Sequence, residues 1–257
     1  MLSPTDALQA AQRPPPPRLD GRQRAIVIGA GGALGSALLE QALAGERFAG
    51  VAAVVTAPLR VGMRGLQAVT LATLPRAGAE LAFLVFERHR HANGRDDTFL
   101  RPQVDQLASL AASLHGAGVR RLLVVVPHAP ALLPQALKAG LGTLDEAAVA
   151  ALGFEQLVFV RAATAGARRG GGSWLDRAVG WWLSQLAWMV PQREQPVRTA
   201  RLAELVVQLA ARLPQARPGT RVLAPELLWQ AAQPDGGPAV LDAWLGPHEP
   251  GVEAQRR

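Results

Sequence analysis

From residue 24 onward, short unbroken apolar runs alternate with stretches in which apolar residues recur every three or four positions. The runs are AIVIG (25–29), VAAVVTA (51–57), LAFLVF (81–86), RLLVVV (121–126) and LVFVRA (157–162). Runs of strand length with no polar residue at every second position predict strands buried on both faces. The periodic stretches predict helices over 33–44, 99–116, 143–152 and 199–213. In the second of these, Phe99, Val104, Leu107, Leu110 and Leu114 supply one apolar face. A further short strand is predicted at TRVLA (220–224). Strands and helices in alternation predict an α/β fold: a Rossmann-like doubly wound parallel sheet, followed by a small C-terminal region of helices and a short strand over about 167–230.

Length and composition refine this picture. At 257 residues and 49% hydrophobic content, the chain suits one large domain better than two small ones. The proline tract in RPPPPRLDG marks residues 1–22 as a disordered leader, which leaves 23–257 as the single domain with a Pro/Gly-rich tail over about 233–257. A stretch near 174–188 carries Trp174, Trp181 and Trp188 on one helical side, suited to packing on the sheet or on a second subunit. A monomer or a homodimer is therefore expected. With no Cys, disulfides, thiolate nucleophiles and Cys-ligated metals are all excluded. The apolar runs are too short to cross a bilayer, and MLSPTDALQA lacks the pattern of a signal peptide, so a cytoplasmic protein with no membrane partner is expected. The net charge of +7 comes almost wholly from Arg, since Lys138 is the one lysine. The arginines are spread along the chain with no recognition motif or stacking platform, which places nucleic acid last among the partners.

The candidate chemistry begins where the first run breaks, in RAIVIGAGGALGS (24–36). Gly29 suits a tight turn after a strand, and Gly31 or Gly32 lets main-chain N–H groups approach a pyrophosphate. Gly35 lets the following helix pack closely, and Ala33 and Leu34 open that helix with its free N–H groups toward the phosphates. A dinucleotide, NADP or NAD, is the predicted partner and cofactor. An acid for the adenosine ribose is expected about 20 residues on, yet VVTAPLRVGMR (54–64) contains none. Thr56 offers a hydroxyl there, and Arg60 and Arg64 offer charge to a 2′-phosphate, which favours NADP over NAD. Farther along, Glu87 in ERHRHANGRDD puts a carboxylate near the pyrophosphate, where it repels the ligand unless Arg88 or Arg90 compensates. His89 and His91, with Glu87 or Asp96, lack a third ligand at a telling interval, and no metal site is predicted. Arg168 and Arg169 in GARRGGGS form a basic loop that suits an anionic ligand or a plain connection.

Three segments carry a family resemblance: GAGGALGS, VDQLASLAASLHGAGVRRLLVVVPHAP, and LGTLDEAAVAALGFEQLVFVRAATAGAR. From residue 24 to about 230 the chain resembles the short-chain dehydrogenase/reductase superfamily, within it the atypical NAD(P)H-binding branch of NmrA-like regulators and Tat-interacting-protein-type oxidoreductases. The resemblance implies a single Rossmann domain with a small C-terminal substrate region, and a small-molecule substrate or none. The departures fall on the chemistry. Where the family places serines, at the end of the fifth strand, this chain has Val126 and Pro127; Leu141 stands in place of the family's lysine, and Arg161-Ala162 in place of its Arg-Pro. No Tyr exists anywhere in the chain to pass a proton to a carbonyl oxygen. His128 is the remaining candidate acid or base, and Lys138 a candidate replacement lysine. Two classes of function follow. One is an NAD(P)(H)-binding oxidoreductase, weak or catalytically degenerate; the alternative is a non-catalytic regulatory or interaction protein that keeps the fold as redox sensor or scaffold.

Overall fold

A computed structural model describes residues 22–45, 47–57, 66–87, 98–128, 143–163, 197–234 and 236–246, with residues 128 and 163 described by backbone only. Among them, seven strands form one sheet: β1 (Arg24–Ile28), β2 (Gly50–Val54), β3 (Leu66–Val69), β4 (Leu81–Val85), β5 (Arg121–His128), β6 (Gln156–Ala163) and β7 (Gly219–Leu223). Every pairing is parallel and the order is β3-β2-β1-β4-β5-β6-β7. The helices are α1 (Ala33–Ala44), α2 (Leu107–Gly116), α3 (Leu144–Ala150), α4 (Thr199–Arg212), α5 (Pro225–Ala232) and α6 (Gly237–Leu245).

The unbroken apolar runs are explained by what covers the sheet. Successive residues of a strand point to opposite faces, and in the central strands both faces are buried. Ala25, Val27, Phe83, Val85, Leu123 and Val125 join a core with α1, α4, α5 and α6. Their neighbours Ile26, Ile28, Leu84, Leu122 and Val124 join a second core with α2, α3 and the 3-10 turn Leu71–Ala77. In register, Val27 lies between Ala53 of β2 and Phe83 of β4, and all three are fully buried. On α4, Leu202, Leu205, Val206 and Leu209 recur at helical spacing and are buried against the sheet side shared with α1. The chain winds outward through β1, β2 and β3, then returns to the other side of β1 for β4 to β7. The doubly wound Rossmann-like order is thereby complete, with its switch point between β1 and β4.

Several element boundaries differ from expectation. The helix expected over 99–116 begins as a 3-10 turn at Val104–Gln106 and becomes α2 at Leu107. Phe99 is not on it; it bridges Val55 in antiparallel fashion, and Pro102 disfavours helix in the residue before it. The helices expected over 143–152 and 199–213 are Leu144–Ala150 and Thr199–Arg212. The strand expected at TRVLA is β7, and it joins the main sheet beside β6 instead of standing apart. The Pro/Gly-rich stretch after 233 contains a helix, α6, because Pro238 sits in its first turn, where no N–H partner is lost. The leader up to residue 21, the Trp-rich stretch 174–188, and Arg60, Arg64, Arg168, Arg169, Lys138 and Leu141 lie outside the described residues.

Candidate functional site

The sheet's switch point lies between β1 and β4, and folds of this kind bind ligands outside the carboxyl ends of the strands at that point. β1 is followed by Gly29, whose φ of +93° favours glycine, and a Cβ there would meet the carbonyl oxygen of Val85 at the end of β4. The turn closes through Gly32 N–H donating to the Gly29 carbonyl at 3.5 Å, and Ser36 N–H donates to the Gly32 carbonyl at 2.8 Å as α1 begins. A Cβ on Gly35 would run into the Gly29 carbonyl, so Gly35 is what lets the first turn of α1 lie against the strand end. Leu34 is buried beneath, Ala33 is exposed, and Gly31 and Gly32 line the partly open side of the turn. The structure thus brings Gly29, Gly31, Gly32, Ala33, Leu34 and Gly35 into one strand–turn–helix unit.

The first N–H groups of a helix have no partner within it. The N-cap here is Gly32, which has no side chain to offer, and the first turn holds no acidic residue. The missing acceptor arrives from 53 residues away. Glu87, two residues beyond β4, accepts the N–H of Leu34 on Oε1 at 2.7 Å and the N–H of Gly35 on Oε2 at 3.3 Å. A Cβ on Gly32 would fall on this carboxylate. Glu87 is half-buried, and the backbone before it is tied to the sheet through Phe86 N–H and the Val125 carbonyl at 2.9 Å. Among the described residues it makes no ion pair. The sequence places Glu87 as a charge near the phosphate position; the structure seats it on the N–H donors at the start of α1. A carboxylate two residues past the strand beside β1 was the available signal, but its reach to the helix start is a matter of three-dimensional direction.

Thr56 follows β2, at the end of the sheet where an adenosine ribose would lie. Its N–H and its hydroxyl both donate to the Thr98 carbonyl, at 2.9 and 3.2 Å. Leu100 N–H donates to the Val54 carbonyl at 2.9 Å, so the segment from Thr98 to Leu100 covers the carboxyl end of β2. Val126 and Pro127 lie half-buried near the end of β5, in register with Arg161 and Ala162 of β6, and His128 pairs with Ala163 through its backbone. Arg161 is engaged elsewhere: it donates to Glu146 of α3 at 3.1 Å, and both side chains are buried. Among the described residues, no group of three or more His, Asp or Glu could hold a metal ion, and no helix is long and apolar enough to cross a membrane.

No family model matches the chain, and no curated protein matches it in sequence. Among solved structures, the chain is similar to the Bordetella bronchiseptica enzyme WbmG in complex with NAD, at 15% identity over 92% of this chain and 84% of that one, with a TM-score of 0.44. It is similar to a short-chain dehydrogenase/reductase superfamily protein from Agrobacterium tumefaciens with bound NAD, at 18% identity over 78% and 77%, with a TM-score of 0.41. It is also similar to a short-chain dehydrogenase/reductase family oxidoreductase from Burkholderia thailandensis, at 14% identity over 79% and 91%, with a TM-score of 0.43. The fold assigned above stands on strand order and register, independently of these likenesses.

Proposed function

We propose that this protein binds NADP(H) or NAD(H) at the carboxyl ends of β1 and β4, as a weak or catalytically degenerate member of the atypical short-chain dehydrogenase/reductase type. The observation that carries the reading is the paired grip of Leu34 and Gly35 N–H on a carboxylate at the switch point. Two adjacent N–H groups at a helix start that hold one anion are the donors a pyrophosphate uses. Gly29 and Gly35 fix the turn, and Gly31 and Gly32 add no side chain of their own to its outer side. When bound, the dinucleotide supplies a hydride donor or acceptor. The chain's own part is to hold the pyrophosphate at the start of α1 and to orient what lies beyond it toward the ends of β4 and β5. Arg60 and Arg64, with no acid in VVTAPLRVGMR, favour the 2′-phosphate of NADP.

A proton for a carbonyl oxygen has no evident source. The chain has no Tyr, and Val126 and Pro127 carry no hydroxyl. A positioned acid is worth about 10²- to 10⁴-fold, so turnover of ketones, aldehydes and quinones with NADPH is expected at background, with His128 the candidate if turnover appears. The alternative, a non-catalytic regulatory protein, is favoured by the same Glu87 contact, since the anion position already has an internal occupant.

Calorimetric titration of the purified chain with NADPH and NADH tests the reading. Binding at about micromolar Kd or tighter is expected, stronger for NADPH, corresponding to roughly −8 kcal/mol. Gly31→Asp should abolish it by adding bulk and negative charge beside the phosphates, and Arg60→Ala should weaken NADPH alone. No heat and no thermal shift with either dinucleotide would overturn dinucleotide binding.

A further inference from the structure

We propose that Glu87 is an internal competitor for the pyrophosphate position: its carboxylate holds the α1 N-terminus in a self-inhibited state, and a dinucleotide binds by displacing it. The inference rests on the dinucleotide reading and adds a regulatory element to that site.

The geometry makes the two occupants mutually exclusive. Both carboxylate oxygens are used, one on Leu34 N–H at 2.7 Å and the other on Gly35 N–H at 3.3 Å. A phosphate oxygen needs those same donors at a similar distance. It cannot share them with a carboxylate, and two anions in contact at a partly buried position repel strongly. Gly32 points the same way. A glycine there is ordinarily explained by close approach of the ligand, but here the space a Cβ would take is filled by the Glu87 carboxylate. The site has therefore been shaped around an anion, and the chain supplies one itself.

Release is feasible because of how Glu87 is held. Its own strand is anchored through Phe86 and Val125, so the backbone can stay in place while the side-chain torsions swing the carboxylate away. Among the described residues no guanidinium holds it. Its retention depends on two main-chain N–H groups, which an incoming pyrophosphate would satisfy in its place. The apparent affinity is then the intrinsic affinity reduced by the fraction of molecules with the site open. A cap with a purely structural task predicts something different: its removal would lower stability and leave affinity unchanged or poorer.

The experiment titrates the full-length wild type, Glu87→Ala and Glu87→Gln with NADPH and NADH, and records thermal unfolding without ligand. Inorganic pyrophosphate serves as a second probe, read at the Leu34 and Gly35 amide signals by NMR. We expect Glu87→Ala to bind NADPH about tenfold or more tightly than wild type. Glu87→Gln should shift the same way, while the ligand-free Tm of Glu87→Ala falls by about 2–4 °C. Wild type and variants binding NADPH equally, or the variants binding less well, would overturn the inference and leave dinucleotide binding intact. If no protein binds a dinucleotide but pyrophosphate moves the Leu34 and Gly35 signals in Glu87→Ala alone, the dinucleotide reading falls and the competitor stands. Silence with both probes in all three proteins overturns both.

Discussion

The two ends of the sheet hold their charged side chains in different ways. At the amino end, Arg121 begins β5 and is surrounded by side chains from neighbouring strand starts. Its Nε donates to Gln156 Oε1 at 2.9 Å and its Nη1 to Gln23 Oε1 at 3.3 Å, with Glu80 at 3.7 Å and Glu155 at 3.5 Å. Gln156 and Gln23 then donate to main-chain carbonyls at the end of α4 and just beyond it: Leu213 and Ala216 for the first, Ala210 for the second. At the carboxyl end, Glu87 has main-chain N–H donors and no ion pair among the described residues. Helix direction explains the difference. In a parallel sheet, helices return with unsatisfied carbonyls at the amino end and unsatisfied N–H groups at the carboxyl end. The first end attracts donors, and here the chain provides a full set of side chains. The second attracts an anion, and here one side chain fills a place that a ligand could take.

The largest effect expected from this contrast belongs to the amino end. Arg121→Met removes two charged hydrogen bonds and two ion pairs at a side chain only 13% exposed. The carboxylates left behind are more accessible, at 23% for Glu80 and 37% for Glu155, and rehydrate. A loss of about 2–3 kcal/mol in urea unfolding is expected, below the cost of breaking a fully buried pair. Dinucleotide affinity, read by calorimetry on the folded variant, should be unchanged. A variant of normal stability but weakened affinity would mean that the two ends are coupled and the division of labour is wrong.

The two ends also differed in how legible they were. The strand–turn–helix unit was readable almost residue by residue: β1 and α1 lie where AIVIG and the periodicity of 33–44 place them, since local pattern and glycine chemistry agree there. The parallel character of the sheet and its coverage on both faces follow from the unbroken apolar runs. What stayed hidden depends on direction through space. Glu87 was visible as a charge, yet its bonds to Leu34 and Gly35 span 53 and 52 residues. The Arg121 set draws on four separate strand starts or the residues before them, and nothing in one sequence ties Gln23 to Gln156. β3 carries no unbroken apolar run, because LQAV is a short edge strand with two exposed residues. In α6, Leu241 and Leu245 are buried four residues apart, but the surrounding Gly and Pro dominated the reading.

The smallest expected effect is also the sharpest probe of the carboxyl end. Gly32 has φ −91° and ψ 173°, a conformation that alanine adopts without strain. The added methyl would collide with the Glu87 carboxylate, the mobile end of a flexible side chain, and push it off the N–H groups. Gly32→Ala should therefore cost about 1 kcal/mol, the scale of a lost helix cap, and Glu87→Ala should cost a similar amount for the same reason. Because each substitution removes the same two hydrogen bonds, the double variant should lose less than the sum, with a coupling of about 0.5–1 kcal/mol in urea unfolding. That coupling separates the contact from the charge, since Gly32→Ala keeps the carboxylate and only denies it its place. Additive losses would mean that Glu87 does not hold the start of α1 in solution. The anion at the carboxyl end would then be a free surface charge, and the opposition between the two ends of the sheet would reduce to Arg121 alone.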